Sequence, residues 1–122
     1  MVRNGGTYAV PVLINGAITL NFVLDSGATD VSVPSDVFRT LIRTGTVTER
    51  DILGSETYTL ADGSRKKAVT FNIRSLKVGT VLIENVKGSV AEESGPLLLG
   101  MSFLGRFPSW SVDNRRHVLI LK

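Results

Sequence analysis

The triplet Asp25-Ser26-Gly27 contains the residue types in this 122-residue chain that are best placed to do chemistry. It directly follows the apolar run Phe22-Val23-Leu24, so the carboxylate lies where a predicted strand enters a tight turn. Burying an unpaired charge at such a position is costly. Asp25 is therefore either an ordinary turn residue or an acid whose surroundings are tuned for proton transfer.

Other kinds of catalytic centre find little support in the sequence. The chain has one histidine and no cysteine, so we expect no metal site and no cofactor. A Ser-His-Asp triad would have to use His117, which follows Arg115 and Arg116 and is predicted to be a solvated residue at a strand end. The basic segment 63–67 lacks the spacing of a phosphate-binding loop.

Composition limits the partners that can be expected. A net charge of +3 and 7% aromatic residues predict no nucleic-acid partner, although a basic surface for RNA or anionic membranes is a minor alternative. Residues 4–24 carry no charge. However, Pro11, Asn15-Gly16, Thr19 and Asn21 interrupt them, and the apolar residues recur with a period of two rather than continuously, so we expect no membrane span. The localisation stays open. One alternative is the soluble part of a membrane-anchored or cell-envelope protein.

The elements that must position Asp25 are mostly short strands. Apolar residues alternate over 8–14 and again over 18–24, and Asn15-Gly16 between them is typical of a two-residue hairpin turn. Val31 and Val33 predict a further short strand.

One helix is predicted after that strand. Ser35 is a suitable N-cap residue and Gly45 a suitable residue just past the C-terminus. Between them Val37, Phe38 and Leu41 fall on one helical face.

The rest of the chain predicts more hairpins. Two of them have turns at 61–64 and 79–80, and a further strand covers 84–90. A loop at 92–96 precedes an apolar segment, 97–107, that could be a strand entering a short helix. Segments 110–112 and 118–121 flank a last turn. Residues 1–122 are therefore expected to form one mainly β domain with one or two short helices.

The pattern resembles the aspartic proteases of the retroviral, pepsin-like clan. Two apolar residues precede the sequence Asp25-Ser26-Gly27-Ala28-Thr29, and Leu98-Leu99-Gly100 repeats the apolar-apolar-glycine pattern. Between these motifs lies the hairpin of residues 56–73, with Asp62-Gly63 at its tip, where that clan carries its flap. The segment LLGMSFLGRF looks like the bacterial retropepsin-like proteases. The resemblance implies a closed all-β fold, a homodimer and an aspartic endopeptidase that takes protein or peptide substrates.

Hydrolysis by carboxylates needs two of them sharing one proton, so that one is the acid and the other the base. The other acidic residues of this chain do not follow an apolar strand into a hydroxyl-glycine turn. We therefore expect a homodimer in which Asp25 from each protomer meets at the two-fold axis.

The resemblance also implies roles for the surrounding residues. Asp25, Ser26 and Gly27 form the catalytic turn, with the Ser26 hydroxyl bonding across the dimer. Thr29 and Leu98-Leu99-Gly100 support the site, with the latter beneath the catalytic loop. The residues expected to contact substrate are Ala28, Asp30, Ala61, Asp62 and Gly63.

Two departures from the clan's pattern bear on these roles. Thr29 stands where relatives often carry an acid, so an ion pair bracing the dimer is not expected there. The flap tip has one glycine rather than a glycine-rich run. The alternative function is a non-catalytic retropepsin-like dimer that binds peptides without cutting them.

Overall fold

The computed structural model describes residues 1–4 and 6–122, and most of them form β-strands. The expected all-β architecture with two short α-helices is confirmed. The elements in chain order are β1 Val2–Asn4, β2 Thr7–Ile14, β3 Ile18–Leu24, β4 Val31–Pro34, α1 Ser35–Arg43, a 3₁₀ helix Glu49–Asp51, β5 Ile52–Thr59, β6 Arg65–Val78, β7 Val81–Ala91, β8 Leu98–Leu99, α2 Met101–Leu104, β9 Trp110–Asp113 and β10 Val118–Leu121.

Eight of these strands form one sheet that closes on itself. Their order is β1-β2-β3-β8-β4-β7-β6-β5, and β2 also pairs with β6. This additional pairing joins Leu13 to Lys77 and Ile14 to Leu76. The six strands β2, β3, β8, β4, β7 and β6 therefore form a closed sheet. Strands β9 and β10 make a separate antiparallel pair.

The first hairpin turns at Asn15-Gly16, as predicted. Both residues have positive φ, 50° and 67°, as the expected turn type requires. The Asn15 side chain also ties the turn to the rest of the fold. It donates to the Thr46 carbonyl at 2.7 Å and accepts from the Ser75 N–H at 3.0 Å.

Helix α1 differs from expectation at its start. The N-cap is Pro34, in extended conformation, and Ser35 is already the first helical residue, so the prediction of a Ser35 cap is wrong. No side chain caps this end. Proline has no N–H and a fixed φ, so it can directly precede a helix without leaving a donor unpaired. Gly45 follows the helix with φ 75°, as predicted.

Strand β6 is longer than expected. The sequence predicts separate strands ending at Ile73 and beginning at Leu76, but one 14-residue strand covers both. Its pairing with β7 keeps one register from Thr70 to Val78. The buried face changes from Ile73 to Leu76 while that register continues. The break in the apolar period therefore marks a change of face rather than the end of a strand.

The core lies inside the closed sheet, and Gly88 makes room within it. A Cβ at Gly88 would lie 2.7 Å from the Phe71 ring, so only glycine lets that ring pack against β7. Phe71 also contacts the Phe38 ring of α1, with centroids 4.9 Å apart. Burying each large apolar side chain stabilises the fold by about 1.5–3 kcal/mol. The largest fully buried side chains include Phe22, Phe71, Phe103, Ile14, Leu41, Ile73, Leu76, Leu99 and Leu104.

A buried carboxylate fixes the connection between α1 and β5. Asp51 is 6% exposed and accepts a hydrogen bond from the Thr48 N–H at 2.9 Å. The Arg74 guanidinium lies 3.3 Å from its other oxygen and also donates to the Thr46 carbonyl. The charge is thus both paired and hydrogen-bonded, as a buried charge must be.

Across residues 1–4 and 6–122, no helix has the length and apolar character needed to cross a membrane.

Candidate active site

Asp25 lies at the first position after β3, in a turn held by backbone hydrogen bonds. The Gly27 N–H donates to Asp25 Oδ1 at 2.9 Å, and the Ala28 N–H donates to the Asp25 carbonyl at 3.1 Å. The Asp25 N–H donates to the Leu99 carbonyl at 3.2 Å. The carboxyl is therefore fixed in direction by the turn that it begins, and it remains half-exposed.

Gly27 has to approach this carboxyl closely. A Cβ at this position would lie 3.1 Å from Asp25 Oδ1, which is tighter than ordinary contact. The neighbouring side chains of Ser26 and Thr29 are exposed.

The second motif lies directly beneath the turn. Strand β8 runs parallel to β3, with Val23 opposite Leu98 and Leu24 opposite Leu99. Leu98 also pairs with Ser32 of β4, so β8 fills the space between the strands before and after the turn. Leu99 is completely buried.

Gly100 forms the tightest contact with the loop. A Cβ built there would lie 2.2 Å from the Asp30 carbonyl oxygen and 2.6 Å from that of Ala28. The Met101 N–H then donates to the Ala28 carbonyl and the Ser102 N–H to the Thr29 carbonyl, both at 2.8 Å. The start of α2 thus hydrogen-bonds the backbone of the segment that follows Asp25.

Ser102 is a supporting residue that the sequence reasoning missed. Its Oγ accepts from the Val31 N–H at 2.9 Å and donates to the Lys87 carbonyl at 2.7 Å. One hydroxyl therefore joins β4, β7 and α2. The available signal was a hydroxyl residue two positions after Gly100, at the start of a predicted helix.

The predicted flap tip is an exposed turn with local hydrogen bonds. Asp62 Oδ1 accepts from the Ser64 N–H and hydroxyl, at 2.9 and 2.6 Å, and these bonds lower the pKa of Asp62. Gly63 has φ 86° and donates to the Leu60 carbonyl. The contacts described for Ala61, Asp62 and Gly63 stay within the turn, so the structure does not bring these residues onto Asp25.

Tyr58 joins the flap to the segment that follows the Asp25 turn. Its hydroxyl donates to Asp30 Oδ2 at 2.5 Å, and Asp30 is only 5% exposed. Burial, followed by this bond to the carboxylate, raises the pKa of Tyr58 well above its ordinary value. Sequence reasoning missed Tyr58; the available signal was that it is the one aromatic residue on the outgoing strand of the flap.

Two ion pairs connect the flap to neighbouring segments. Lys66 pairs with Glu92, and Lys87 of β7 pairs with Glu56. Each lysine lowers the pKa of its glutamate through a hydrogen bond to the carboxylate.

The loop 92–96 is in turn anchored to α1. The Ser94 N–H donates to Asp36 Oδ1 at 3.1 Å, and Arg39 pairs with Glu93 at 2.7 Å. The Ser94 bond is the largest cause of a lowered pKa at Asp36. The loop is therefore held between the helix and the flap.

Between the flap and this loop lies a pocket of about 490 Å³, lined mostly by apolar atoms. Its walls come from the flap, from Ser32 of β4, from the end of β7 and from the loop. Within residues 1–4 and 6–122, no group of three or more histidine, aspartate or glutamate side chains is arranged to hold a metal ion.

Comparisons with known proteins agree with this geometry. A family model described as "gag-polyprotein putative aspartyl protease" matches residues 10–106. A retropepsin-like aspartic protease from Rickettsia conorii matches in structure with a TM-score of 0.69 and 27% sequence identity, covering 98% of this chain and 93% of that one. The retroviral protease-like domain of Ddi1 from Leishmania major matches with a TM-score of 0.63 and 17% identity, covering 98% and 90%, a likeness of fold alone. Comparison with curated protein sequences gives no match.

Proposed function

Because this chain belongs to the retropepsin-like aspartic protease family, we propose that it is an aspartic endopeptidase that hydrolyses extended peptides. The observation that carries the proposal is the position of Asp25. It lies at the end of a strand, in a turn whose Gly27 N–H fixes the carboxyl, with β8 and Gly100 packed behind.

The proposed active enzyme is a homodimer with one Asp25 from each protomer. One carboxylate takes a proton from a water molecule, whose oxygen attacks the scissile carbonyl carbon. The other carboxyl, protonated, donates to the carbonyl oxygen. When the tetrahedral intermediate collapses, the C–N bond breaks and the leaving nitrogen receives the proton that the first carboxylate took from water. The hydroxyl formed on the carbonyl oxygen returns its proton to the second carboxylate. Like charges so close cannot both be ionised easily, which keeps one proton on the pair.

Substrate would bind between the catalytic turn and the flap. We propose that the backbone near Ala28 and Asp30 lines one side of the groove and that the tip residues Ala61, Asp62 and Gly63 cover the other. An extended peptide would pair with main-chain groups as an added strand, and side-chain pockets would select its sequence. Ser26 would bond across the dimer axis. Thr29 and Leu98-Leu99-Gly100 would hold the turn in place, all within a single domain.

The test compares three purified proteins on a library of extended peptides. Wild type and Asp113→Asn should cleave, whereas Asp25→Asn should lose activity by at least about 100-fold, the lower range for an acid–base group. Asp113 is a matched control because its carboxylate also accepts backbone N–H groups in a turn. Circular dichroism should show that all three proteins fold alike.

Full activity of Asp25→Asn would contradict the mechanism. If the wild type binds peptides that it never cleaves, and Asp25→Asn binds them equally well, the chain is a peptide-binding module instead.

A further inference from the structure

The pocket beside the flap is bordered by charged residues, yet none of them offers an unpaired charge. Lys66 and Glu92 both line it, and they form an ion pair with each other. The remaining lining residues, among them Leu60, Val90 and Pro96, carry no charge. An ion pair at a rim leaves the site electrostatically close to neutral.

A third charge lies behind one wall of this pocket. Tyr58 is a lining residue, whereas Asp30 is not. The two are in direct contact, because the Tyr58 hydroxyl donates to Asp30 Oδ2 at 2.5 Å. Asp30 is only 5% exposed, and the Tyr58 hydroxyl occupies one oxygen of its carboxylate.

The chemistry of a pocket depends on which charges a bound side chain can reach. A reachable carboxylate would bind a lysine or arginine side chain through a charge-assisted hydrogen bond. A carboxylate already bonded and covered cannot, and a cation bound beside it would lose its hydration without compensation. The state of the contact between Tyr58 and Asp30 therefore decides between apolar and basic side chains.

We propose that Tyr58 determines specificity by keeping the Asp30 carboxylate out of this pocket, so that the pocket selects an uncharged, apolar side chain of the substrate. This inference rests on the proposed protease function. It makes Tyr58 a specificity residue and gives it no part in the chemical step. The raised pKa of Tyr58 agrees with a hydroxyl that stays protonated on its partner.

The experiment uses peptides that differ only by leucine or lysine at the position that fills the pocket, identified by scanning each position of a peptide that binds the Asp25→Asn protein. Wild type should prefer leucine by at least about tenfold in kcat/KM, as expected for a pocket that discriminates by burial. In Tyr58→Phe the Asp30 carboxylate loses its donor, and the preference for leucine should shrink by about tenfold, because a lysine can now pair with it. Tyr8→Phe is the matched control, since Tyr8 donates to Asn114 instead and does not line the pocket.

Two further variants separate charge from shape. The double variant Tyr58→Phe with Asp30→Asn should regain the wild-type preference, because it lacks the hydroxyl as the single variant does but also lacks the Asp30 charge. Glu56, which the Tyr58 hydroxyl also contacts at 3.4 Å, stays paired with Lys87 in both variants. Asp30→Asn alone keeps an acceptor for Tyr58 and should leave the preference unchanged. A changed preference in this single variant would contradict the inference even if Tyr58→Phe does not fold.

The same peptide pairs should be measured by binding to each variant in an Asp25→Asn background. If wild type cleaves nothing, the proposed function fails, and the ratio of dissociation constants still decides the inference. An unchanged leucine-to-lysine ratio in folded Tyr58→Phe would overturn it. So would a gain of lysine acceptance that persists in the double variant, or a changed ratio in Asp30→Asn.

Discussion

No side chain fits at Gly100, because the carbonyl oxygens of Ala28 and Asp30 occupy the space that a Cβ would need. These carbonyls belong to the segment that follows Asp25, so a side chain at Gly100 would push against the turn that begins at Asp25. A substitution at Gly100 should therefore change both the stability of the fold and the position of the turn at Asp25.

Gly100→Ala should destabilise the protein by about 3 kcal/mol or more, at the upper end for overpacking, since the obstructing atoms are backbone atoms. The measurement is the free energy of unfolding in urea. Gly6→Ala is the control, because a Cβ there meets no atom within 4 Å and φ is not in the positive range. An equal effect of the two substitutions would refute the steric argument.

Sequence reasoning at the residue scale identified Asp25, Gly27 and Gly100 as a connected set, and the geometry connects them. It did not find Tyr58 or Ser102. Their hydrogen bonds join residues 28 and 71 positions apart in the chain. Such bonds depend on how the flap and α2 pack, which no local pattern of residue types encodes.

At the scale of elements, the Tyr58 hydroxyl holds the flap against Asp30, the residue that directly precedes β4. Burial and the Asp30 carboxylate raise the pKa of Tyr58 in the folded protein above the ordinary value of about 10. At pH values below about 10 the hydroxyl is protonated in both the folded and the unfolded protein, so its stabilising effect is fully present. Above it the unfolded chain loses the proton first, and the effect declines as pH rises through the folded pKa.

We therefore expect wild type to exceed Tyr58→Phe in stability by about 1.5–3 kcal/mol at neutral pH, the range for a hydrogen bond to a charged group. The difference should shrink at pH values above about 10. Urea unfolding of both proteins at neutral and alkaline pH measures it, and Tyr8→Phe serves as the control. If the stability difference between wild type and Tyr58→Phe grew with pH, the hydrogen bond from Tyr58 to Asp30 could not be its cause.

Local patterns predicted the positions of most strands and turns. Asn15-Gly16, Gly45 and the turn at 79–80 lie where turn chemistry placed them. The start of α1 was misassigned because Pro34, rather than Ser35, takes the position before the helix. The single strand β6 was read as two, because its buried face changes where it leaves the flap and also pairs with β2. That change is a property of the closed sheet rather than of the strand.

For the whole molecule, the expected closed, retropepsin-like fold is confirmed. Its closure could not be read from the sequence, because the pairing of β2 with β6 joins residues more than sixty positions apart. The homodimer remains a prediction, based on the single catalytic triplet of each chain.

Because dimerisation and formation of the active site would be one event, activity per milligram should fall on dilution. Adding excess Asp25→Asn protein should suppress wild-type activity through mixed dimers, whereas adding Asp113→Asn should not. The test measures specific activity as a function of protein concentration and, over the same range, the molecular mass by analytical sedimentation. Undiminished activity of a monomer would rule out a shared site.

The position of β8 also bears on the order in which the protein can take shape during synthesis. β8 lies between β3 and β4, yet more than sixty residues separate it from the end of β4 (residues 34 to 98). A growing chain therefore contains Asp25 long before it contains Leu98, Leu99 and Gly100, and closing so large a loop costs entropy. Until those residues leave the ribosome, the turn that begins at Asp25 has no strand behind it, and the Asp25 N–H lacks its acceptor, the Leu99 carbonyl.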